Sequence, residues 1–424
     1  MKTFPENFLW GAAMSAHQVE GNNSNNDWWK WEQEGNTEPS GDACNHYNRY
    51  KEDFLLAKQL NHNAHRLSIE WSRLEKTEDS WDEKEWAHYK DVVRTLDELG
   101  IEPVVSLNHF TIPLWLAQKG GWTNEQSPEY FARFTEKAAI ELGDKVRYWI
   151  TITEPNIVAM LEYLFGIWPP CIKDFNIALI VLKNLLKGHV LAYSAVKSAA
   201  AKNPKIKKPI IGISHAVTAF HPCSPFSLSD RFCTYYRSKF HNYAFITSAI
   251  KGKVLIPGVQ CEKLPAKNTV DFIGLNYYFR QFIQHQKPFL SHPLGEVCSL
   301  SHHHTPGGIT DMGWEIYPRG IYEVTKSFYK RYKLPIMITE NGLATKDDAI
   351  RKSFIKDHLE HLLRAINENC NVLGYLHWSL MDNFEWAEGY SKKFGLIKID
   401  RQTQERTILD SARYYASVIA TGKP

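Results

Sequence analysis

The sequence predicts one α/β domain over residues 1–424, a closed (β/α)8 barrel of eight parallel strands. Three observations predict it. Short apolar runs alternate with amphipathic helical patterns along the whole chain. These runs number eight, and eight parallel strands close a barrel of this kind. No low-complexity linker or repeat of fixed period divides the chain, so a length that would allow two or three domains is consistent with one.

The strand candidates are rich in apolar, β-branched and aromatic residues. In chain order they are residues 8–16, 65–71, 102–110, 148–154, 209–217, 271–279, 334–340 and 372–380. Amphipathic helices are predicted between them, among them residues 82–99 and 353–368. The most apolar later stretch, residues 175–196, is interrupted by Lys183 and Lys187, so we expect a buried barrel helix and no membrane span.

Composition and charge exclude several classes of protein. The 424 residues are 43% hydrophobic and 23% charged, which excludes disordered and fibrous chains. Fifty basic and 47 acidic residues give a net charge of +3 and no electrostatic basis for a nucleic-acid partner. Seven cysteines form no CxxC pair and the N-terminus has no signal-peptide layout, so we expect free thiols and a cytoplasmic location. Fourteen tryptophans suit a site that stacks on flat ligand faces.

The ends of the strand candidates carry chemically active side chains. Barrel enzymes place their active sites at the C-terminal ends of the strands. Here those ends carry carboxylates, amides, an imidazole and aromatic rings, which together suit the binding of hydroxyl-bearing rings. They are Gln18, Glu20, Glu70, His109, Glu154, Asn276, Tyr277, Tyr278, Glu340 and Trp378.

Two of these glutamates are expected to face each other. Residues 149–156 (WITITEPN) predict a strand that ends near Glu154, because Pro155 cannot donate to a ladder. On that stretch alone, Glu154 is either a solvated charge or a catalytic group. Glu154 ends the fourth strand and Glu340 the seventh, so their carboxyl groups face each other across the barrel mouth. Glycosidic bond cleavage needs such a pair, one group to protonate the leaving oxygen and one to attack or to activate water.

Six motifs in sequence order resemble the β-glycosidases of glycoside hydrolase family 1 nearly end to end. They are WGAAMSAHQVEG (10–21), HRLSIEWSR (65–73), TITEP (151–155), GLNYY (274–278), ITENG (338–342) and WSLMDNFEWAEGYSKKFG (378–395). The resemblance implies a TIM barrel that needs no cofactor. It also implies a retaining, exo-acting hydrolase that removes the terminal non-reducing β-linked sugar through a covalent glycosyl-enzyme. A β-glucoside is favoured, with a galactoside, fucoside or mannoside as alternatives.

The resemblance further implies roles for individual residues. Glu340 would be the nucleophile and Glu154 the acid/base, with Arg66 and Tyr278 holding the nucleophile ionised and aimed. The charge of Glu340 should raise the pKa of Glu154, which would keep a proton on Glu154 near neutral pH. The sugar would be bound by a ring of polar and aromatic side chains that includes a stacking platform and a wall on the leaving-group side. These are Gln18, His109, Thr153, Asn276, Trp314, Trp378, Glu385 and Trp386.

Several of these residues also have purely structural alternatives. Arg66 could form an ion pair of the barrel core. Trp378 and Trp386 could be core aromatics. Gln18 and His109 could be polar groups with their hydrogen bonds satisfied at strand ends.

Three positions refine the expected substrate. The family usually has Asn where this chain has Thr153, and the amide binds the sugar 2-hydroxyl. A hydroxyl has one donor where an amide has two, so we expect lower turnover or looser discrimination at C2. Phe110 stands where many relatives have Trp, which removes an indole donor. Glu385 would repel a phosphate, so an unphosphorylated sugar is expected.

Two other functions stay open at this point. The chain could be a transglycosidase, in which an acceptor sugar replaces water, or a non-catalytic glycan-binding barrel. The second typically lacks one carboxylate, whereas Glu154 and Glu340 are both present. Metal binding by His302, His303 and His304 is not expected, because adjacent histidines on an irregular loop rarely converge on one ion.

Overall fold

Eight parallel strands form a closed barrel in the computed structural model, which describes residues 3–285, 293–303 and 305–424. They are β1 (Leu9–Ala13), β2 (Ala64–Ser68), β3 (Glu102–Asn108), β4 (Tyr148–Thr153), β5 (Ile210–Pro222), β6 (Phe272–Gln284), β7 (Ile336–Asn341) and β8 (Val372–Trp378). Each pairs with its neighbour in the chain, and β8 pairs with β1 to close the ring. The predicted (β/α)8 barrel is confirmed.

A helix or helical stretch follows every strand. The helices are α1 (His46–Gln59), α2 (Glu83–Glu98), α3 (Ser127–Leu142), α4 (Phe175–Lys202), α5 (Leu228–Ser238, continued through Lys239–Tyr243 and Ala244–Lys251), α6 (Arg319–Tyr332), α7 (Asp348–Asn367) and α8 (Asp410–Thr421). Local chemistry sets their starts: Asp82 and Asp347 accept backbone N–H groups at the first turns of α2 and α7. The cap at Asp347 starts α7 five residues before the predicted start.

Shorter elements lie in the connections. The short helices are Ala16–Val19, Asp27–Gln33, Trp71–Leu74, Leu114–Gln118, Gly121–Thr123, Pro155–Ile157, Val158–Leu164, Leu300–His302 and Trp386–Glu388. The short strands are Glu75–Thr77, Ser80–Trp81, Glu296–Val297, Ile397–Ile399 and Arg406–Ile408.

Two strands are longer than predicted. β5 and β6 were expected to end at residues 217 and 279, but their pairing continues as far as Pro222 and Ile283 after a register shift near Val217. The strand Glu296–Val297 adds to the far edge of β6 in the antiparallel sense. The extended ends therefore form a three-stranded ribbon beyond the barrel.

Helix α4 contains the apolar stretch noted in the sequence. By length and composition it could cross a membrane, but 61% of its most apolar window is buried within the protein. It packs closely against α3, on the outside of the barrel. Its burial fits the predicted role as a barrel helix.

The apolar core has two parts. The larger part lies between the strands and the surrounding helices. The smaller includes side chains from seven of the barrel strands: Ala13, Ala64, Val104, Ile150, Phe272, Met337 and Leu376. The polar residues considered next lie at or just beyond the C-terminal ends of these strands.

Candidate active site

Glu154 lies directly after β4, where the backbone takes a left-handed conformation with φ of 50°. Its N–H donates to the carbonyl oxygen of Ser214 at 2.6 Å, and Pro155 begins a short helix. The predicted end of the strand is confirmed. A left-handed non-glycine residue at this point is strained, and such strain concentrates at functional sites.

Glu340 lies within β7, and both oxygens of its carboxylate are held. Arg66 of β2 forms an ion pair with Oε1, and the Tyr278 hydroxyl donates to Oε2 at 2.6 Å. The guanidinium is fully buried, and its Nε donates to Ser106 Oγ at 3.0 Å. Arg66 is therefore an ion-pair residue of the barrel interior whose partner is Glu340.

Asn276 connects the two glutamates. It is the register partner of Glu340 on β6, and its Nδ2 donates to Glu154 Oε1 at 2.8 Å. Its Oδ1 accepts hydrogen bonds from Ser214 Oγ and Thr339 Oγ1, each at 2.7 Å. The two carboxyl groups predicted to face each other therefore both lie beside Asn276.

The pKa of Glu154 is strongly perturbed. Burial is the largest cause, the negative charge of Glu340 adds to it, and the hydrogen bond from Asn276 opposes both, so that the pKa rises from 4.5 to about 8. The rise was expected from the charge of Glu340 alone, because burial cannot be seen from motifs. Burial followed by the charge of Glu340 also raises the pKa of Glu385 to about 8.

His109 is a neutral imidazole in an aromatic wall. Burial, with a smaller contribution from Arg66, holds its pKa well below 6.5. Its Nδ1 lies 3.2 Å from Arg66 Nη2. The ring lies near-parallel to the rings of Trp378 and Trp386, with centroid distances of 5.8 and 5.9 Å. A neutral imidazole can both donate to and accept from a hydroxyl, and the adjoining indoles offer flat apolar faces.

Gln18 and Glu385 come together from opposite ends of the chain. Gln18 Oε1 accepts from Ser15 Oγ at 2.7 Å, and Nε2 donates to the carbonyl oxygen of Phe384 at 2.8 Å. The same Nε2 lies 3.5 Å from Glu385 Oε2. This amide–carboxylate pair is fixed in place beside the aromatic wall.

Thr153 is fully buried directly before Glu154, and its Oγ1 accepts from Arg66 Nη2 at 2.7 Å. The hydroxyl is therefore oriented by the arginine that also holds Glu340. Its expected contact with the sugar 2-hydroxyl stays a prediction.

Trp314 contributes the other side of the mouth. It is partly exposed and packs on Tyr278 and Phe279, with centroid distances of 5.4 and 4.9 Å. The adjacent Glu315 is fully buried and pairs through both oxygens with Arg280, at 2.7 and 2.5 Å. The indole is thus anchored beside Tyr278.

Three strand-end residues do not join this group. Glu20 pairs with Arg73. Glu70 caps the short helix that starts at Trp71. The Tyr277 hydroxyl donates to the backbone carbonyl of Tyr317, in the loop that precedes α6. These residues have structural partners.

Three hydroxyl groups that position the site were not predicted from the sequence, those of Ser106, Ser214 and Thr339. Each lies within a predicted strand, and Thr339 is the next-to-last residue of its strand. Small hydroxyl residues close to the C-terminal end of a barrel strand were the signal that could have found them.

The chain is similar to known proteins along its whole length. The family model described as "Glycosyl hydrolase family 1" matches residues 1–424. A 1,4-beta-D-glucan glucohydrolase of Thermotoga neapolitana is 34% identical, with 99% of this chain and 98% of that protein covered. The structure of a beta-glycosidase from Pyrococcus horikoshii superposes with a TM-score of 0.92 at 38% identity, covering 99% of this chain and 96% of that one. A Thermotoga maritima beta-glucosidase in complex with glucoimidazole gives a TM-score of 0.90 at 32% identity, covering 100% of both chains.

The family match spans the whole chain, and the relatives are covered almost completely. The chain therefore belongs to glycosyl hydrolase family 1, and it is a glycoside hydrolase.

Proposed function

We propose that the chain is a retaining, exo-acting β-glycosidase in which Glu340 is the nucleophile and Glu154 the acid/base. One observation carries this proposal: two neighbouring carboxyl groups have opposite environments. Glu340 is ion-paired with Arg66 and hydrogen-bonded by Tyr278, so a cation and a hydroxyl donor hold its two oxygens. Glu154 is buried with its pKa raised to about 8, which favours the acid. When the environments of two titratable groups push their pKa values apart, the difference shows which group is the acid and which is the base.

In the first step, Glu340 attacks the anomeric carbon while Glu154 gives its proton to the glycosidic oxygen. The bond to the leaving group breaks and the leaving group departs as an alcohol. The sugar stays bound to Glu340 as a covalent glycosyl-enzyme. The guanidinium of Arg66 and the hydroxyl of Tyr278 keep the attacking carboxylate aimed throughout this step.

In the second step, the charge of Glu340 is gone because the residue is esterified. One cause of the raised pKa of Glu154 is thereby removed, so Glu154 becomes a carboxylate and accepts a proton from water. The water attacks the anomeric carbon, releases the sugar and restores the Glu340 carboxylate. Both displacements balance with water alone, and the configuration is retained.

The sugar is proposed to lie against the aromatic wall. Trp378 stacks beneath the ring, while Gln18, His109, Glu385 and Trp386 take its hydroxyls. Gln18 Nε2 and Glu385 Oε2 are 3.5 Å apart, so one pair of neighbouring hydroxyls can bridge the amide and the carboxylate.

A β-glucoside is the proposed preferred substrate, with the galactoside, fucoside and mannoside as further substrates. The likeness to a 1,4-beta-D-glucan glucohydrolase of Thermotoga neapolitana supports glucose. Glu385 supports free 4- and 6-hydroxyls: with a pKa of about 8 it is a carboxylic acid near neutral pH, which exchanges hydrogen bonds with hydroxyls, and its carboxylate form would repel a phosphate. Trp314 is proposed to contact the leaving group from the rim.

The test is hydrolysis of aryl and alkyl β-glucosides by the wild type, Glu340→Gln, Glu154→Gln and Glu102→Gln. Glu340→Gln should lose several orders of magnitude on every substrate, because the nucleophile is gone. Glu154→Gln should lose much more on an alkyl glucoside than on a dinitrophenyl glucoside, because dinitrophenolate leaves without a proton.

Glu102→Gln is the matched control, since Glu102 begins β3 at the opposite end of the barrel. It should retain wild-type turnover. Equal losses of Glu154→Gln on both substrates would contradict the acid role, and full activity of Glu340→Gln would contradict the nucleophile. The cytoplasmic location stays a prediction.

A further inference from the structure

A cluster of thiols and imidazoles lies on the ribbon beyond the barrel, outside the set of residues described above. Cys223 follows β5, and Cys298 follows the short strand that pairs with β6. The N–H of Cys223 donates to Ile283 O, and that of Cys298 donates to Phe282 O, both at 2.8 Å. The two cysteines therefore flank β6 from its two sides.

The ligand atoms of the cluster are close together. The Sγ atoms of Cys223 and Cys298 are 3.0 Å apart, and a ring nitrogen of His303 lies within 4.8 Å of both. The imidazole of His303 stacks on Phe282 with a centroid distance of 3.6 Å, which fixes the ring over β6. Its Nε2 is buried and has no hydrogen-bond partner among the described residues. A buried imidazole nitrogen normally has a partner, so this one is available for a ligand.

We propose that Cys223, Cys298 and His303 bind one Zn²⁺ ion. Tetrahedral zinc with Zn–S of about 2.3 Å and Zn–N of about 2.0 Å places its ligand atoms roughly 3.3–3.8 Å apart. The two sulfurs are slightly closer than this, at 3.0 Å, and the ring nitrogen lies within 4.8 Å of both. Small side-chain rotations therefore bring the three atoms to tetrahedral spacing. The thiols lose their protons to solvent as the ion binds.

The fourth position falls to water or to His302, whose Nδ1 lies 3.4 Å from Cys298 Sγ. Adjacent histidines alone were not expected to form a site. In this cluster the ligands come from two separate segments that β6 holds in place, and that contribution is not visible in the histidine run. His304 lies outside the described residues.

A disulfide is the competing outcome for two neighbouring thiols. It would use the sulfurs of Cys223 and Cys298 but would leave His303 Nε2 without a partner. A metal ion uses all three side chains at once. Soft thiolates with an imidazole are a ligand set that selects zinc over calcium or magnesium.

The site would stabilise the rim of the barrel mouth. An ion there ties residues 298–303 to β6, and the ring of Phe282 contacts both the imidazole of His303 and the guanidinium of Arg280, which is 4.4 Å from the ring centroid. Arg280 pairs with Glu315, next to Trp314. The ion would therefore order the loop beside the leaving-group wall without touching the reacting groups.

The test uses the reduced full-length protein after removal of metal with a chelator. Zinc uptake is measured by equilibrium dialysis with elemental analysis, and Co²⁺ is added to look for thiolate-to-metal charge-transfer absorption. The wild type and Cys261→Ser, an exposed cysteine elsewhere, should each bind one equivalent of Zn²⁺. Cys223→Ser and His303→Ala should bind at least tenfold more weakly and should lose the absorption band.

Two further measurements guard against misfolding. Circular dichroism must match the wild type for each variant, and hydrogen exchange of residues 298–303 should slow on adding zinc to the wild type but not to His303→Ala. Zinc uptake by Cys223→Ser equal to that of the wild type would overturn the proposal. So would an intact mass about 2 Da below the reduced mass, together with failure of the re-reduced protein to bind zinc.

Discussion

The titration of Glu154 in a Glu340→Gln variant tests the electrostatics of the site. The rise of its pKa from 4.5 to about 8 corresponds to roughly 5 kcal/mol against ionisation. Two unit charges about 5.5 Å apart, the spacing of a retaining pair, repel by about 3 kcal/mol at an effective dielectric of 20. Removing the charge of Glu340 should therefore lower the pKa by about two units. Burial remains, so the pKa should stay above 4.5.

The assay is ¹³C NMR of glutamate side chains from pH 4 to 10, with Glu340→Gln/Glu154→Gln as the assignment control. In the wild type, kcat/KM should fall as pH rises through about 8, because Glu154 loses the proton that the leaving group needs. An unchanged pKa in Glu340→Gln would refute the coupling between the carboxyls. A drop to 4.5 would refute burial as the main cause.

Three other changes have expected outcomes. Tyr278→Phe removes the 2.6 Å hydrogen bond to Glu340. Because a hydrogen bond to a charged group contributes about 1.5–3 kcal/mol, kcat should fall roughly tenfold to a hundredfold. A kcat equal to that of the wild type would contradict a role for this contact. Thr153→Asn should raise kcat/KM on the glucoside more than on the 2-deoxyglucoside, and equal gains on both would exclude a 2-hydroxyl contact. Glu385→Gln should flatten the pH dependence of stability in urea unfolding. The folded pKa of about 8 lies above 4.5, so the wild type loses stability as pH rises between these values, and an unaltered slope in the variant would contradict the burial argument.

The fold was largely predictable because its signals are local. Alternation and β-branched residues mark the strands, and all eight predicted strands are present. The extra length of β5 and β6 was not predictable, because pairing beyond Val217 depends on the partner strand and on Glu296–Val297. Whether the chain forms one domain stays a prediction.

The site was predictable where a motif coincides with a strand end. Arg66 and Tyr278 both contact Glu340, the partner that the resemblance implied for them. The hydrogen bonds that orient the catalytic side chains were not predictable. Asn276 was expected only near the sugar, yet it binds the carboxyl of Glu154, because a hydrogen bond between strands distant in sequence leaves no mark on either one.

Asn276 has a stereochemical consequence for proton delivery. Its amide oxygen already accepts from the hydroxyls of Ser214 and Thr339, so its orientation is set and its NH₂ group is what faces Glu154. Because Oε1 of Glu154 accepts that N–H, the acid proton belongs on Oε2. The carboxyl group thus carries its proton on one oxygen only. Glu154 can therefore protonate a glycosidic oxygen only from the side of Oε2. The side from which Glu154 delivers its proton is therefore set by Ser214 and Thr339, which act through Asn276.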